Sequence, residues 1–243
     1  MQPVFYDLHI HSALSPCAND DMTPNDIVGM AILNGLDLIA ITDHNAFSNA
    51  RAVVNVARTA KTLPGKELIV LPGIEVSTAE EVHVVCLFPD VESALGFEID
   101  LIPYYSSLKN RIDIFGNQIV YNEQDNIISR EKRMLIASTS ISFDELYSLT
   151  HKHEGAFIPA HIDRSSFSVI SNLGFLPPHL DIHTIEVSAR GVDNDFIKKS
   201  ADLYKDKNII FSSDAHQLWS ISERENSIML PERSAKAAID FLR

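Results

Sequence analysis

Short apolar runs and amphipathic stretches alternate along most of this chain. Residues 4–10, 36–42, 67–76 and 82–88 are dominated by aliphatic side chains. They are nearly continuous rather than alternating, as expected of parallel strands covered on both faces. Between the first two runs, Ile27, Met30, Ala31 and Leu33 recur at helical spacing. Thr23 is the predicted N-cap of that helix, Pro24 its first residue and Gly35 its end. A second helix is predicted over 50–62, stopped by Pro64-Gly65. Later strands are predicted at 156–160, 182–187 and 209–213, with helices at 143–153, 165–173 and 193–205. Repeated βα units favour an α/β barrel or an open sheet, and residues 1–243 read as a single domain.

One stretch breaks the rhythm. Residues 89–142 contain no clear barrel-type strand. Gln118-Ile119-Val120-Tyr121 and Asn126-Ile127-Ile128 flank the polar Asn122-Glu123-Gln124-Asp125, the pattern of a β-hairpin. The expectation is an insertion between strands four and five.

The polar exceptions to the apolar runs carry the chemistry. Asp7-Leu8-His9-Ile10-His11 ends the first run, Asp43-His44 the second, Glu75 sits in the third and His83 in the fourth. His161 follows Pro159-Ala160, and Asp214-Ala215-His216 closes the set. His-x-His on an extended segment turns both imidazoles to one side. Six histidines with Glu75 and Asp214 exceed what one four-coordinate zinc can use. The arithmetic favours two or three divalent metal ions (Zn, Fe or Mn) bridged by carboxylates, equipment suited to hydrolytic phosphoryl chemistry. Ligands at the ends of most strands tip the architecture toward a barrel.

Composition sets limits. No run approaches the ~20 apolar residues that span a bilayer, no basic leader precedes the first strand, and the two cysteines, Cys17 and Cys86, suggest no disulfide framework. A cytoplasmic location is the default, with no membrane partner. The net charge of −13 argues against a broad nucleic-acid surface. The expected partner is therefore a small phosphorylated substrate, with no extended nucleic acid. Oligomeric state is not readable.

The motifs Asp7-Leu8-His9-Ile10-His11-Ser12, Ile41-Thr42-Asp43-His44-Asn45, Gly73-Ile74-Glu75-Val76, Ala160-His161 and Ser213-Asp214-Ala215-His216 resemble the PHP (polymerase and histidinol phosphatase) family in kind and order. The resemblance implies a distorted (β/α)7 TIM-like barrel, a trinuclear metal site and phosphoesterase activity. It implies metal ligands at His9, His11, His44, Glu75, His83, His161, Asp214 and His216, with Glu75 as the bridge. A ninth family ligand, an Asp or His shortly before the Thr-Pro of the first helix, is ambiguous here. Asp20 keeps nearly the usual distance to Thr23 and is preferred. Asp21 and, as a thiolate, Cys17 remain open.

Asp43 is expected to orient a neighbouring imidazole. Glu186 reads equally as a pocket residue or a structural carboxylate. Arg164, three residues beyond His161, is the candidate clamp for a substrate phosphate. Glu75, His161 and Arg164 are thus the expected catalytic set, serving in-line attack by a metal-activated hydroxide. Alternatives are a histidinol-phosphate phosphatase, a hydrolase of C–N or carboxyl ester bonds, and a non-catalytic metal-binding PHP module.

Overall fold

A computed structural model describes residues 1–60, 62, 67–188, 196 and 204–243. Strands β1 (Gln2–Ile10), β2 (Leu38–Ile41), β3 (Ile69–Ser77), β4 (His83–Leu87), β7 (Ala156–Pro159) and β10 (Ser227–Leu230) form one curled sheet in the order β10-β1-β2-β3-β4-β7. β8 (Thr184–Val187) and β9 (Asn208–Phe211) pair separately and in parallel. They link to the segment after β7 and to β1: Ile162 N–H donates to the Glu186 carbonyl (2.9 Å) and Ala215 N–H to that of His9 (3.2 Å).

The expectation of parallel strands holds only in part. β1, β2 and β3 run parallel, but β4 is antiparallel to both β3 and β7, and β10 is antiparallel to β1. For β3 and β4 the reason is local. Residues 78–82 make a tight reversal, with Thr78 N–H donating to Val82 O (2.9 Å) and Glu81 at positive φ. So short a connection permits only antiparallel neighbours.

Most helices lie where the pattern places them. α1 (Pro24–Leu33) has Thr23 as N-cap, its side chain accepting from Asp26 N–H, and Gly35 follows at φ 74°. α2 (Ser48–Thr59) begins and ends earlier than expected, and Pro64-Gly65 lie outside the described residues. α5 (Phe143–Lys152) starts with a Ser142/Glu145 capping box. α6 is shorter than expected, Val169–Leu173. The helix expected over 193–205 falls mainly outside the described residues.

Residues 89–142 hold α3 (Val91–Leu101), a short α4 (Ile112–Phe115) and the hairpin of β5 (Ile119–Tyr121) with β6 (Ile127–Arg130). α3 was not expected. Its signal was Asp90, which caps by accepting from Ser93 N–H at 2.8 Å. A final helix, α7 (Ala235–Leu242), and strand β10 are also additional. Among the described residues no helix is long and apolar enough to cross a membrane.

Alternating strand residues divide between two cores. Val4, Tyr6, Leu8, Leu38, Ala40, Val85, Leu87 and Ile158 pack with α7 on one side. Ile39, Ile41, Val84, Cys86 and Phe157 pack with α1, α2, α3 and α5 on the other. Strand β1 breaks its own alternation: Asp7 pairs with Ile39 and Ile10 with Ile41, so three steps on β1 match two on β2. This irregularity puts His9, directly after the core residue Leu8, on the face that Glu75 also occupies. A bulge re-aims side chains in just this way.

Gly73 in β3 is squeezed from both flanks. A Cβ there would meet Leu87 Cδ2 at 2.6 Å and the carbonyls of Cys86 and Ile41 at 3.1 Å each. Gly73→Ala should therefore destabilise the protein by about 1–3 kcal/mol through overpacking, read as a lower urea midpoint with unchanged m-value. A neutral result would mean β2 and β4 can separate freely at this level.

Candidate metal centre

β3 carries Glu75 into the middle of the sheet's inner face, where it is 1% exposed. Imidazoles surround it. His44 Nδ1 lies 2.9 Å from Oε2 and His83 Nδ1 2.9 Å from Oε1. His161 Nε2 is 3.3 Å from Oε1, His11 Nε2 3.4 Å from Oε2 and His9 Nε2 3.5 Å from Oε1. A second carboxylate, Asp214, stands 3.1 Å from His11 Nε2, 3.4 Å from His9 Nε2 and 3.7 Å from His216 Nδ1. Thus eight residues that the sequence marked as separate motifs meet in one place.

The outer nitrogens of two of the rings, His9 and His11, are held by fixed partners. His9 Nδ1 is 3.0 Å from both oxygens of Glu186. A carboxylate only accepts, so His9 carries a proton on Nδ1 and turns Nε2 inward. Ser15 Oγ donates to Asp43 Oδ1 (2.7 Å) and therefore accepts from His11 Nδ1 (2.9 Å) and from His44 N–H (3.1 Å). Ser12 completes the arrangement, donating to Asp43 through N–H (2.8 Å) and Oγ (2.6 Å). Asp43 thus orients His11 through Ser15 rather than touching an imidazole. Asp7 accepts from Ser213 N–H (3.0 Å) and Ser222 N–H (2.9 Å), fastening the loop that presents Asp214 to the strand that presents His9 and His11.

Backbone strain gathers at the same rim. Asn45, His161 and Asp214 all have positive φ (45°, 31° and 51°), a conformation non-glycine residues hold only when their surroundings insist. Asn45 is held by donating its amide to the carbonyls of Leu135 (2.7 Å) and Ala137 (3.0 Å).

Protons balance charge within the cluster. Burial alone would raise the Glu75 carboxyl, but His83, His9 and His44 hold it well below the usual range. Burial likewise opposes a charged His9, yet Glu186, Glu75 and Asp214 push it well above its ordinary value. His11 goes the other way, driven well down by burial and by His216 and His44. Asp214 is held low by His9 and His11 against the effect of burial.

The donor set suits divalent cations. His9 Nε2 and His11 Nε2 approach to 3.2 Å, and Glu75 Oε2 is buried without a hydrogen-bond donor, since His44 Nδ1 is near but outside hydrogen-bond geometry. Three groups keep their ligand atoms within 4.8 Å: His11, His44 and His216; His9, His11 and Asp214; His44, Glu75 and His83. Mixed imidazole and carboxylate donors fit Zn, Fe or Mn.

Two residues near the site need separate comment. Arg164 Nη2 pairs with Asp214 Oδ2 at 2.7 Å while its side chain stays 44% exposed, so it lies at the mouth rather than in bulk solvent. Asp20, expected as the ninth ligand, is not brought in: its carboxylate is exposed and accepts from Asn117 Nδ2 at 2.8 Å. The extra length of the loop lets it run out to the hairpin, where Tyr121 Oη donates to the Asp20 carbonyl (3.0 Å). Asp21 is exposed as well. Cys17 is exposed as a residue too; burial raises its thiol, but His216 and His44 bring it down to about 7.

Sequence reasoning missed Ser12, Ser15 and Phe167. The serines had a signal, since small hydroxyls directly follow His-x-His. Phe167 had none. Its ring stacks on His83 (4.8 Å between centroids), and it is 45% exposed at φ 55°.

A curled α/β sheet with a buried histidine–carboxylate cluster on its inner face defines a metal-centre protein. The PHP domain model matches residues 7–174, and the chain belongs to that family. Among curated proteins it resembles the 5'-3' exoribonuclease Rnm of Salmonella typhimurium, 34% identical over 91 residues, which is 36% of this chain and 29% of that protein. The chain therefore matches only about three-tenths of that relative's length. In fold it is similar to the lesion-specific endonuclease PfuEndoQ from Pyrococcus furiosus (TM-score 0.67, 19% identity, 99% of this chain and 56% of that one). It is also similar to Endonuclease Q in complex with a 27-mer duplex substrate with an abasic lesion at the active site (TM-score 0.63, 20% identity, 89% and 50%).

These relatives overturn the expectation of no extended nucleic acid. One holds a 27-mer duplex and another is an exoribonuclease. Net charge averages over the whole surface, whereas a phosphodiester meets only the groups at the site, so −13 excludes nothing there.

Glu186 should matter through the His9 ring and the His161 backbone N–H that it holds. Glu186→Gln should weaken metal binding by about 10–100-fold, the range for losing such an outer partner, measured by zinc titration of the apoprotein. Unchanged affinity would show that His9 needs no orienting carboxylate.

Proposed function

We propose that this chain is a metal-dependent phosphoesterase acting on nucleotide-type phosphate esters, nucleic-acid strands among them. One observation carries the reading: two carboxylates, buried Glu75 and partly buried Asp214, are enclosed by six imidazoles whose other ring atoms are, for His9 and His11, already committed to fixed partners. His9, His11, His44, Glu75, His83, His161, Asp214 and His216 would hold two to three divalent ions, with Glu75 as bridge. Such ions, when bound, polarise a phosphoryl oxygen and lower the pKa of water.

The remaining chemistry belongs to side chains at the mouth. Arg164, 44% exposed, would turn from Asp214 to the substrate, where its planar fork would bind two phosphate oxygens. Its pairing with Asp214 keeps it at the site beforehand. Phe167 offers an aromatic surface beside His83, and base stacking on such a ring tolerates any sequence. A phosphate clamp and a stacking face at one mouth fit a nucleotide better than a simple phosphomonoester.

Glu75→Gln tests the centre. The purified protein should carry two to three transition-metal ions by elemental analysis, and the amide variant should lose at least one of them. Its hydrolysis of a nucleotide ester with Mn2+ or Zn2+ should fall more than 10-fold, a barrier change of about 1.4 kcal/mol or more. Wild-type metal content with near-normal turnover would place the bridge elsewhere.

The mouth residues should separate by substrate. Arg164→Ala should lower kcat/KM about 10²-fold for both p-nitrophenyl phosphate and a dinucleotide, as loss of a charged clamp does. Phe167→Ala should cost about 10-fold for the dinucleotide alone, the scale of one stacked base. Equal losses on both substrates in the Phe167 variant would remove the base-stacking role.

A further inference from the structure

We propose that Asp163 is a positioning residue that aims the Arg164 guanidinium at the metal centre by clasping the end of β8. This rests on the reading of Arg164 as the clamp for a substrate phosphate, and identifies the group that sets its direction.

The chain leaves the sheet just after β7, and Asp163 stands at the point of departure. Ile162 is still in register with β8, its N–H donating to the Glu186 carbonyl (2.9 Å). In a continuing parallel ladder the next free N–H of β8, that of Ser188, would donate back to the Ile162 carbonyl. Here a side chain takes that place. Asp163 Oδ1 accepts from Ser188 N–H (2.7 Å) and Oδ2 from Ser188 Oγ (2.6 Å). Bonds of this length to a charged acceptor are strong, and a pair of them fixes direction as well as distance. Ser188 is itself buried, so the clasp has a rigid anchor. The backbone can then turn away at residue 163 while β8 keeps its partner.

The loop beyond is closed on itself. Arg164 N–H donates to the His161 carbonyl (2.9 Å), Ser168 Oγ to the Arg164 carbonyl (2.7 Å), and His83 N–H to the Phe167 carbonyl (2.9 Å). His161 and Phe167 both hold positive φ (31° and 55°), a conformation that lasts only where tertiary bonds maintain it. His161, Arg164 and Phe167 thus come off one braced loop, and Asp163 is the brace next to the arginine. Among the described residues the guanidinium has one ion-pair partner, Asp214 at 2.7 Å, and the side chain is 44% exposed. An ion pair so open to water holds a long side chain weakly, so the backbone at Arg164 decides where it reaches. Asp163 stays out of the cluster itself: it belongs to none of the groups whose ligand atoms converge.

A double-mutant cycle separates aiming from mere stability. With p-nitrophenyl phosphate and Mn2+, Asp163→Ala should raise KM and lower kcat/KM about 10-fold, the cost of a misplaced binding group. Metal content by elemental analysis and circular dichroism should match the wild type. In an Arg164→Ala background the same substitution should cost nothing further, since the group it aims is gone. Asp163→Asn should restore the wild-type KM, because Oδ1 still accepts from Ser188 N–H while Nδ2 donates to Ser188 Oγ. Ser188→Ala keeps the N–H and should give a smaller KM rise in the same direction, which serves as the test if Asp163→Ala does not fold. The assignment falls if Asp163→Ala has the wild-type KM, loses metal, or costs its full factor again without Arg164, or if Asp163→Asn fails to rescue. In any of those cases a large loss in Arg164→Ala alone leaves the clamp standing, whereas wild-type kinetics in Arg164→Ala end both readings.

Discussion

The rest of this molecule is arranged around one buried negative charge. Glu75 is 1% exposed, and an isolated carboxylate in that position would be expensive to desolvate. Its neighbours offset the cost by converging five imidazoles on it from four segments of the chain. The demand explains features that packing alone does not. The β1 bulge is needed to put His9 and Leu8 on the same side of the strand, and Gly73 is needed because a side chain two residues before Glu75 would force β2 and β4 apart. The positive φ angles of Asn45, His161 and Asp214 lie at the same rim, where tertiary contacts hold local strain in place.

A second layer makes the cluster rigid. Two carboxylates that do not enter it, Glu186 and Asp43, set the orientation of His9 directly and of His11 through Ser15. Glu186 does more than hold a ring. It also accepts from the His161 backbone N–H at 3.1 Å, so one carboxylate ties β8 to both β1 and the loop after β7. Orientation of the site and closure of the curled sheet are therefore the same set of hydrogen bonds.

The segment from residue 89 to 142 touches the centre without supplying a carboxylate or imidazole to it. Its hairpin buttresses the loop after β1, through Ile119, Tyr121 and Asn117, and draws Asp20 away from the histidines. Leu135 and Ala137 meanwhile accept from Asn45. The chemistry of the cluster is thus shaped by a stretch whose own composition is unremarkable for catalysis. The acidic total charge is similarly uninformative, because a protein of similar fold takes a 27-mer duplex substrate and a sequence relative is an exoribonuclease.

Much of this was legible in the residues alone. The α/β class, the capped starts of α1 and α5, the hairpin and eight of the clustered side chains follow from short-range rules: period-two alternation, capping chemistry and the rarity of His, Asp and Glu at the ends of apolar runs. Those signals are local, so they survive without knowledge of the fold. The antiparallel turn of β4 and β10, the bulge in β1, the role of Glu186 and the outward course of Asp20 do not. Each depends on which distant segments become neighbours. Asp20 sits in the loop after β1, and only the hairpin beyond residue 116, packed against that loop, draws its carboxylate away from the histidines.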